Sequence, residues 1–296
     1  MDHPQITLGV LIPFSSALFG QAELYDQHHV GRQVMMRLLH IRPEVMRREK
    51  MLNLCGVLVP HFKNLRANGP AVLRQLMFRG PRFLWRHLSA EYRYSLQTDG
   101  EPPKPLRQRL LEQYYSEGHC GWSRLSGLEQ RFGEFAIHSL VEQSPDRSNR
   151  IILHEQTDAF GQRKTKVLWR WNELDLRSIR QAQQIFREEL AAAGIGTFIP
   201  VEETVGSQPR QFNSPHHFLG TTRMHGNPRN GVVDADCRVH DVPNLFIAGG
   251  SIFPTGGFAN PTFTVVALAL RLATHLQSEL QSTAQIHADP TPAQSR

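Results

Sequence analysis

Between His216 and Leu276 the chain changes character three times in a fixed order. Asn244–Ala248 (NLFIA) is a short apolar run ending in Gly249 and Gly250, the pattern of a buried strand in a parallel sheet. SIFPTGGF follows, a loop whose glycines and Pro254 allow the backbone to approach a ligand closely. Asn260 and Pro261 then predict a helix start, because Asn is a preferred cap and proline at the first helical position loses no hydrogen bond. The segment TFTVVALALRLATHL is apolar almost all round its first turns, which predicts a buried helix. The free N–H groups at its start would face a dry, glycine-lined crevice, a place that stabilises an anion.

The same stretch carries a family signature. Its ordered pieces are His217-Phe218-Leu219-Gly220-Thr221, Arg223-Met224, Gly231-Val232-Val233-Asp234, Arg238-Val239-His240, Asn244 to Ala248, Ser251-Ile252-Phe253-Pro254 and Asn260-Pro261-Thr262-Phe263-Thr264. Together they resemble the C-terminal signature of the glucose–methanol–choline (GMC) flavoprotein oxidoreductases. The resemblance implies an FAD-dependent enzyme that oxidises CH-OH groups of an alcohol or sugar by proton abstraction and hydride transfer to flavin. It puts His217 at the position of the base and Asn260 at that of its partner, which is His or Asn across the family. It makes Gly249, Gly250 and Ser251 the flavin-contacting turn, with Asn260, Pro261 and Thr262 heading the helix that faces the cofactor. Two departures leave the substrate branch open. Gly249-Gly250 stands where many members have Asp-Ala or Asp-Gly, and Met224-His225-Gly226 replaces a common Met-Gly or Met-Ser.

The residue types suit that chemistry. Alcohol oxidation by hydride transfer needs the hydroxyl proton removed, the alkoxide held and the carbon aimed at an acceptor. Histidine is the side chain whose ordinary titration range suits such a base near neutrality. Asn260 can donate one hydrogen bond to a substrate oxygen, or as a cap it can satisfy the helix backbone instead. His216-His217 could be slipped by one residue, and the family spacing to Gly220-Thr221 selects His217. His216, His217, His225, Cys237 and His240 match no standard zinc spacing, so no metal is expected.

The chain opens Met1-Asp2-His3-Pro4. In GMC proteins such a segment lies inside the protein, just after the nucleotide-binding half. A glycine-rich βαβ unit holding the FAD pyrophosphate should precede it. No such fingerprint occurs; Gly194-Ile195-Gly196 comes nearest, yet it follows a helical pattern and lacks the third glycine. The expectation is a C-terminal part of a longer enzyme, partnered by an upstream FAD-binding polypeptide or an electron-acceptor subunit.

Other segments are plainer. Ile6 to Pro13 and Met51 to Pro60 read as buried strands, with a basic helical segment around Val34 to Lys50 between them. Residues 62–112 interleave arginines with aromatics, which predicts an amphipathic helical excursion with a solvated basic face. A partner subunit or an anionic membrane is the other use for it; nucleic acid is disfavoured because no binding fold accompanies it. Gly133 to Gln143 reads as a half-buried strand. Ile151 to Glu155 and Lys166 to Trp171 form a hairpin about Asp158-Ala159-Phe160-Gly161. Leu176, Ile179, Phe186 and Leu190 share a helical face between Asp175 and Gly194.

The fold class expected is α/β (α+β): an incomplete FAD-binding domain of GMC type plus a substrate-binding domain with an antiparallel sheet and flanking helices. Residues 1–205 would be mainly the substrate-binding domain, its inner sheet face roofing the flavin and setting substrate choice. Residues 206–280 would complete the FAD-binding domain, and 281–296 would be a disordered tail. A 296-residue chain with 40% hydrophobic and 20% charged residues and net charge +6 is that of a globular protein with a sizeable core. Three scattered cysteines favour a reducing compartment, and no apolar run is long enough to span a membrane, so a cytoplasmic location is expected. The alternatives to an enzyme are a non-catalytic remnant without flavin and a binding protein that recruits a partner through its basic segment.

Overall fold

The computed structural model describes residues 1, 3–30, 33–63, 122–124, 127–202, 204–205, 208–209 and 217–288. The basic segment at 62–112 falls outside the described residues save for its first two, as do Cys120, His216 and the tail from 289.

The centre is a five-stranded antiparallel sheet. Its strands are β1 (Gln5–Pro13), β4 (Leu39–His40), β5 (Leu54–Phe62), β6 (Phe132–Val141) and β9 (Gly196–Pro200). The order is β4-β5-β6-β1-β9. A small hairpin, β2 (His28–Val30) with β3 (Gln33–Met35), precedes β4. The Val34–Lys50 segment is therefore mostly not helical. Its one helix, α1, is confined to Pro43–Arg48, where Pro43 sits at the helix start and its fixed φ is already helical.

β6 lies between β5 and β1 with both edges paired, and it is more buried than simple alternation implies: Phe135, Ala136 and Ile137 are buried in succession. A bulge at Thr7/Gly9 changes the register of β1 against it. Leu8, Leu11, Phe135 and Ile137 are buried with Phe186 and Leu190 of α2 (Glu173–Ala192) in one core. Asn172 caps α2: its side chain accepts from Asp175 N at 3.0 Å, while Asp175 accepts from Asn172 N at 3.0 Å. That reciprocal pair starts the helix one turn before Leu176. Gly194, at φ 65°, stops it in the left-handed conformation that glycine adopts freely. The predicted hairpin is present as β7 (Arg150–Thr157) and β8 (Arg163–Leu168).

A second, smaller core gathers Leu219, Val233, Cys237, Ile252, Phe253 and Leu272, with Met1 packed against it. Here three expectations change. Asn244–Ala248 is not a strand of a parallel sheet: Phe246 makes a single antiparallel bridge to Arg238, and Leu245 is 49% exposed. A two-faced apolar strand needs a parallel neighbour on each side, and no described residues supply one. The helix α3 runs over Thr262–Ala288, so residues 281–288 are helical and not a disordered tail. Within that last stretch Ser282 donates its hydroxyl back to Ser278 O at 2.9 Å, as serines inside helices do. Nor is α3 buried all round: Phe263 is 86% and Leu270 65% exposed.

Candidate functional site

The site is built by stitching two distant segments side by side. Gly220 N donates to Gly250 O (3.2 Å), Thr222 N to Ser251 O (2.9 Å) and Met224 N to Ile252 O (2.8 Å). The Thr222 hydroxyl donates to Ser251 Oγ at 2.7 Å, locking the same pair of segments through their side chains. The contact is close: an added Cβ at Gly250 would lie 2.8 Å from Leu219 Cδ2, so a larger residue there would require that buried side chain to shift. Gly249 takes φ 119°, a region left almost wholly to glycine, and the space beside it is open. The His217 segment and the Gly249–Ser251 turn are thus one unit.

The chain's first residues join it. Met1 and Leu219 exchange two backbone bonds, Met1 N to Leu219 O at 3.1 Å and Leu219 N to Met1 O at 3.0 Å. His3 is fully buried, and its ring meets that of half-buried His217 edge-on, centroids 5.5 Å apart at 72°. His3 Nε2 donates to the Gly256 carbonyl at 3.0 Å; a carbonyl only accepts, so the proton is on that nitrogen.

The loop after Pro254 is held from the sheet side as well. Gly257 N donates to Glu142 Oε1 at 3.2 Å, while Glu142 Oε2 accepts from Asn53 N at 3.1 Å. The Phe258 ring lies 5.3 Å from that of His40, at the end of β4. These ties fix the approach to Asn260, Pro261 and Thr262.

At the helix start the register shifts by one residue from that expected. Val265 N donates to Pro261 O at 2.9 Å, which makes Pro261 the capping residue and Asn260 the one before it. Asn260 is exposed, so its amide is not spent on a buried cap. His225 and His240 are tied to each other's segment through His240 Nε2 and His225 O (2.9 Å). Among the described residues no group of three or more His, Cys, Asp or Glu could hold a metal ion.

On the sheet, β6 register places Glu134 and His138 on one face, opposite His61 and Val57. Thr7 Oγ1 and His138 Nδ1 lie 3.1 Å apart, as do His61 Nδ1 and Glu134 Oε1. Polar side chains thus stand on that face where the other is packed against α2.

Nothing local in the sequence marks His3, Thr222 or Glu142 beyond the Met1–Pro4 segment in which His3 lies. That segment is the signal for His3: a histidine inside a motif, with no partner visible near it in sequence.

Residues 145–269 match the family model described as GMC oxidoreductase. The chain is 30% identical over 154 residues to paromamine 6'-oxidase of Streptomyces fradiae, covering 52% of this chain and 27% of that one. It is 30% identical over 182 residues to 2-methyl-1,2-propanediol dehydrogenase of Mycolicibacterium austroafricanum, covering 58% and 32%. It is 32% identical over 146 residues to the fructose dehydrogenase large subunit of Gluconobacter japonicus, covering 49% and 25%. The matches therefore span about a quarter to a third of these relatives' own lengths. The C-terminal part of this chain belongs to the GMC oxidoreductases.

Proposed function

We propose that this chain supplies the base and one wall of the flavin site of an FAD-dependent enzyme oxidising the CH-OH group of a sugar or small polyol. The observation that carries the reading is the stitching of the His217 segment to the Gly249–Ser251 turn at the head of α3. The residues fit the cofactor: Gly249 and Gly257 both have positive φ with open space where a Cβ would stand. Gly249, Gly250 and Ser251 would hold it through backbone N–H groups, and the α3 start at Pro261 and Thr262 would direct its free N–H groups and dipole there. Bound FAD supplies the hydride acceptor.

The chain's own part is proton and position. His217 takes the proton from the substrate hydroxyl through a ring nitrogen, and Asn260 donates a hydrogen bond to the same oxygen as its charge develops. The polar side chains of Thr7, His61, Glu134 and His138 on one sheet face suit a substrate rich in hydroxyls, in line with the sugar named for fructose dehydrogenase. Residues 1–205 would then act mainly as the substrate-binding domain.

The pyrophosphate-binding glycine unit would come from polypeptide outside these 296 residues. The exposed apolar surface of α3 and Leu245 supports this, since such a patch marks a surface that is covered in the working assembly. Whether electrons pass to oxygen or to another acceptor would be set by that assembly. The test is to produce the chain with an FAD-binding GMC segment and add a panel of sugars and diols under nitrogen. Bleaching of the yellow flavin by one of them, and restored colour on adding an acceptor, is the expected result. A colourless assembly, or one that no CH-OH compound bleaches, would reject the proposal.

A further inference from the structure

We propose that His3 is a positioning residue for His217: it sets the orientation of the proposed base and couples it to the Gly256 loop. The inference rests on the reading of His217 as the base. His3 is fully buried, and the ring contact with His217, at 5.5 Å and 72°, is the edge-to-face arrangement that aromatic rings prefer. Its own orientation is fixed from the far side, where Nε2–H is committed to the Gly256 carbonyl at 3.0 Å. Gly256 leaves room for this seat: a Cβ there would stand 3.2 Å from His3 Nε2 and 3.3 Å from Cδ2 and would press on the ring.

The backbone beneath the pair is equally fixed. Met1 and Leu219 exchange both of their backbone bonds, so the segments carrying His3 and His217 share one register. A half-buried imidazole without such a neighbour would turn about its terminal torsion, which is broad for histidine. His3 blocks that motion. The consequence is that the base and the loop leading to Asn260 move as a unit, with His3 as the link between them.

The role predicts effects on rate rather than on substrate binding. In the flavin-loaded assembly, His3→Ala should lower the rate constant for substrate oxidation by about 10- to 100-fold, the scale of a small misplacement of a reacting group, with KM nearly unchanged. His3→Gln keeps a donor for Gly256 O and removes the ring. It should fold normally and remain slow.

A second readout needs neither flavin nor substrate. In protein labelled with 15N-histidine, kept in whatever assembly holds it in solution, His217 should show one tautomer and one set of ring signals. In His3→Ala and His3→Gln those signals should broaden or average. A wild-type rate in His3→Gln, or unchanged His217 ring signals in both variants, would overturn the inference. Failure of the wild-type protein to oxidise any CH-OH compound would instead count against the proposed function, and the ring signals would still decide the role of His3.

Discussion

At the scale of single residues the account turns on one imidazole. His217→Ala should slow substrate oxidation by about 10²–10⁴-fold, the usual contribution of a positioned acid–base group, while bound flavin is retained. His216→Ala should do far less, and stopped-flow rates for the two variants separate the registers: equal losses would move the base by one residue. Asn260→Ala should lower the rate with little change in melting temperature, because Pro261 and not Asn260 holds the capping position. A change in melting temperature alone would make Asn260 structural. Cys55 offers an independent check on the core, since burial pushes its thiol up to about 11. In the folded protein at pH 8 it should resist Ellman's reagent and react only on denaturation. His217 stands out in the sequence as a candidate because a dense local motif surrounds it. His3 was not, since its meaning lies in a contact with a residue more than two hundred positions away.

At the scale of elements, the parts with local signals came through. Asn172→Ala removes the capping box of α2 and should cost about 0.5–2 kcal/mol, read as a lower denaturant midpoint with unchanged slope. Asp175 of the same box has its carboxyl pushed up by burial, against the lowering pull of the Asn172 and Ser144 backbone N–H groups. A carboxyl that holds its proton more tightly when folded contributes full stability at low pH, and loses it as pH rises through the range from about 4 upward. Melting temperature should therefore fall slightly across that window in the wild type and not in Asp175→Asn; an identical slope in both would contradict the assignment. Strands β1 and β5 were legible as apolar runs, β6 from its alternation and hairpin β7–β8 from its turn residues. Asn244–Ala248 and α3 were misread for one reason. Their apolar residues do predict burial, yet what would bury Leu245, Phe263 and Leu270 is not among the described residues. Apolarity in sequence predicts burial without saying which surface provides it.

At the scale of the whole molecule, the two cores divide the labour. On the sheet face away from α2, Thr7, His138, His61 and Glu134 stand among Val57, Val59 and Ala136, and the smaller core holds the glycine turn, His217 and the head of α3. Glu142 and His3 tie the loop between them to both sides. Burying side chains such as Phe263 and Leu270 is worth about 1.5–3 kcal/mol each, so leaving them in water favours association. The 296-residue chain alone should be poorly soluble and bind FAD weakly, and production with an FAD-binding segment should raise both solubility and bound flavin. Purification of the chain alone as a soluble, yellow, alcohol-oxidising protein would contradict that view. The most direct measurement of the central claim compares wild type and His217→Ala in the flavin-loaded assembly, following flavin absorbance after mixing with an oxidisable sugar or diol. The account predicts equal bound flavin and bleaching about 10²–10⁴-fold slower in the variant; bleaching at the wild-type rate would contradict it.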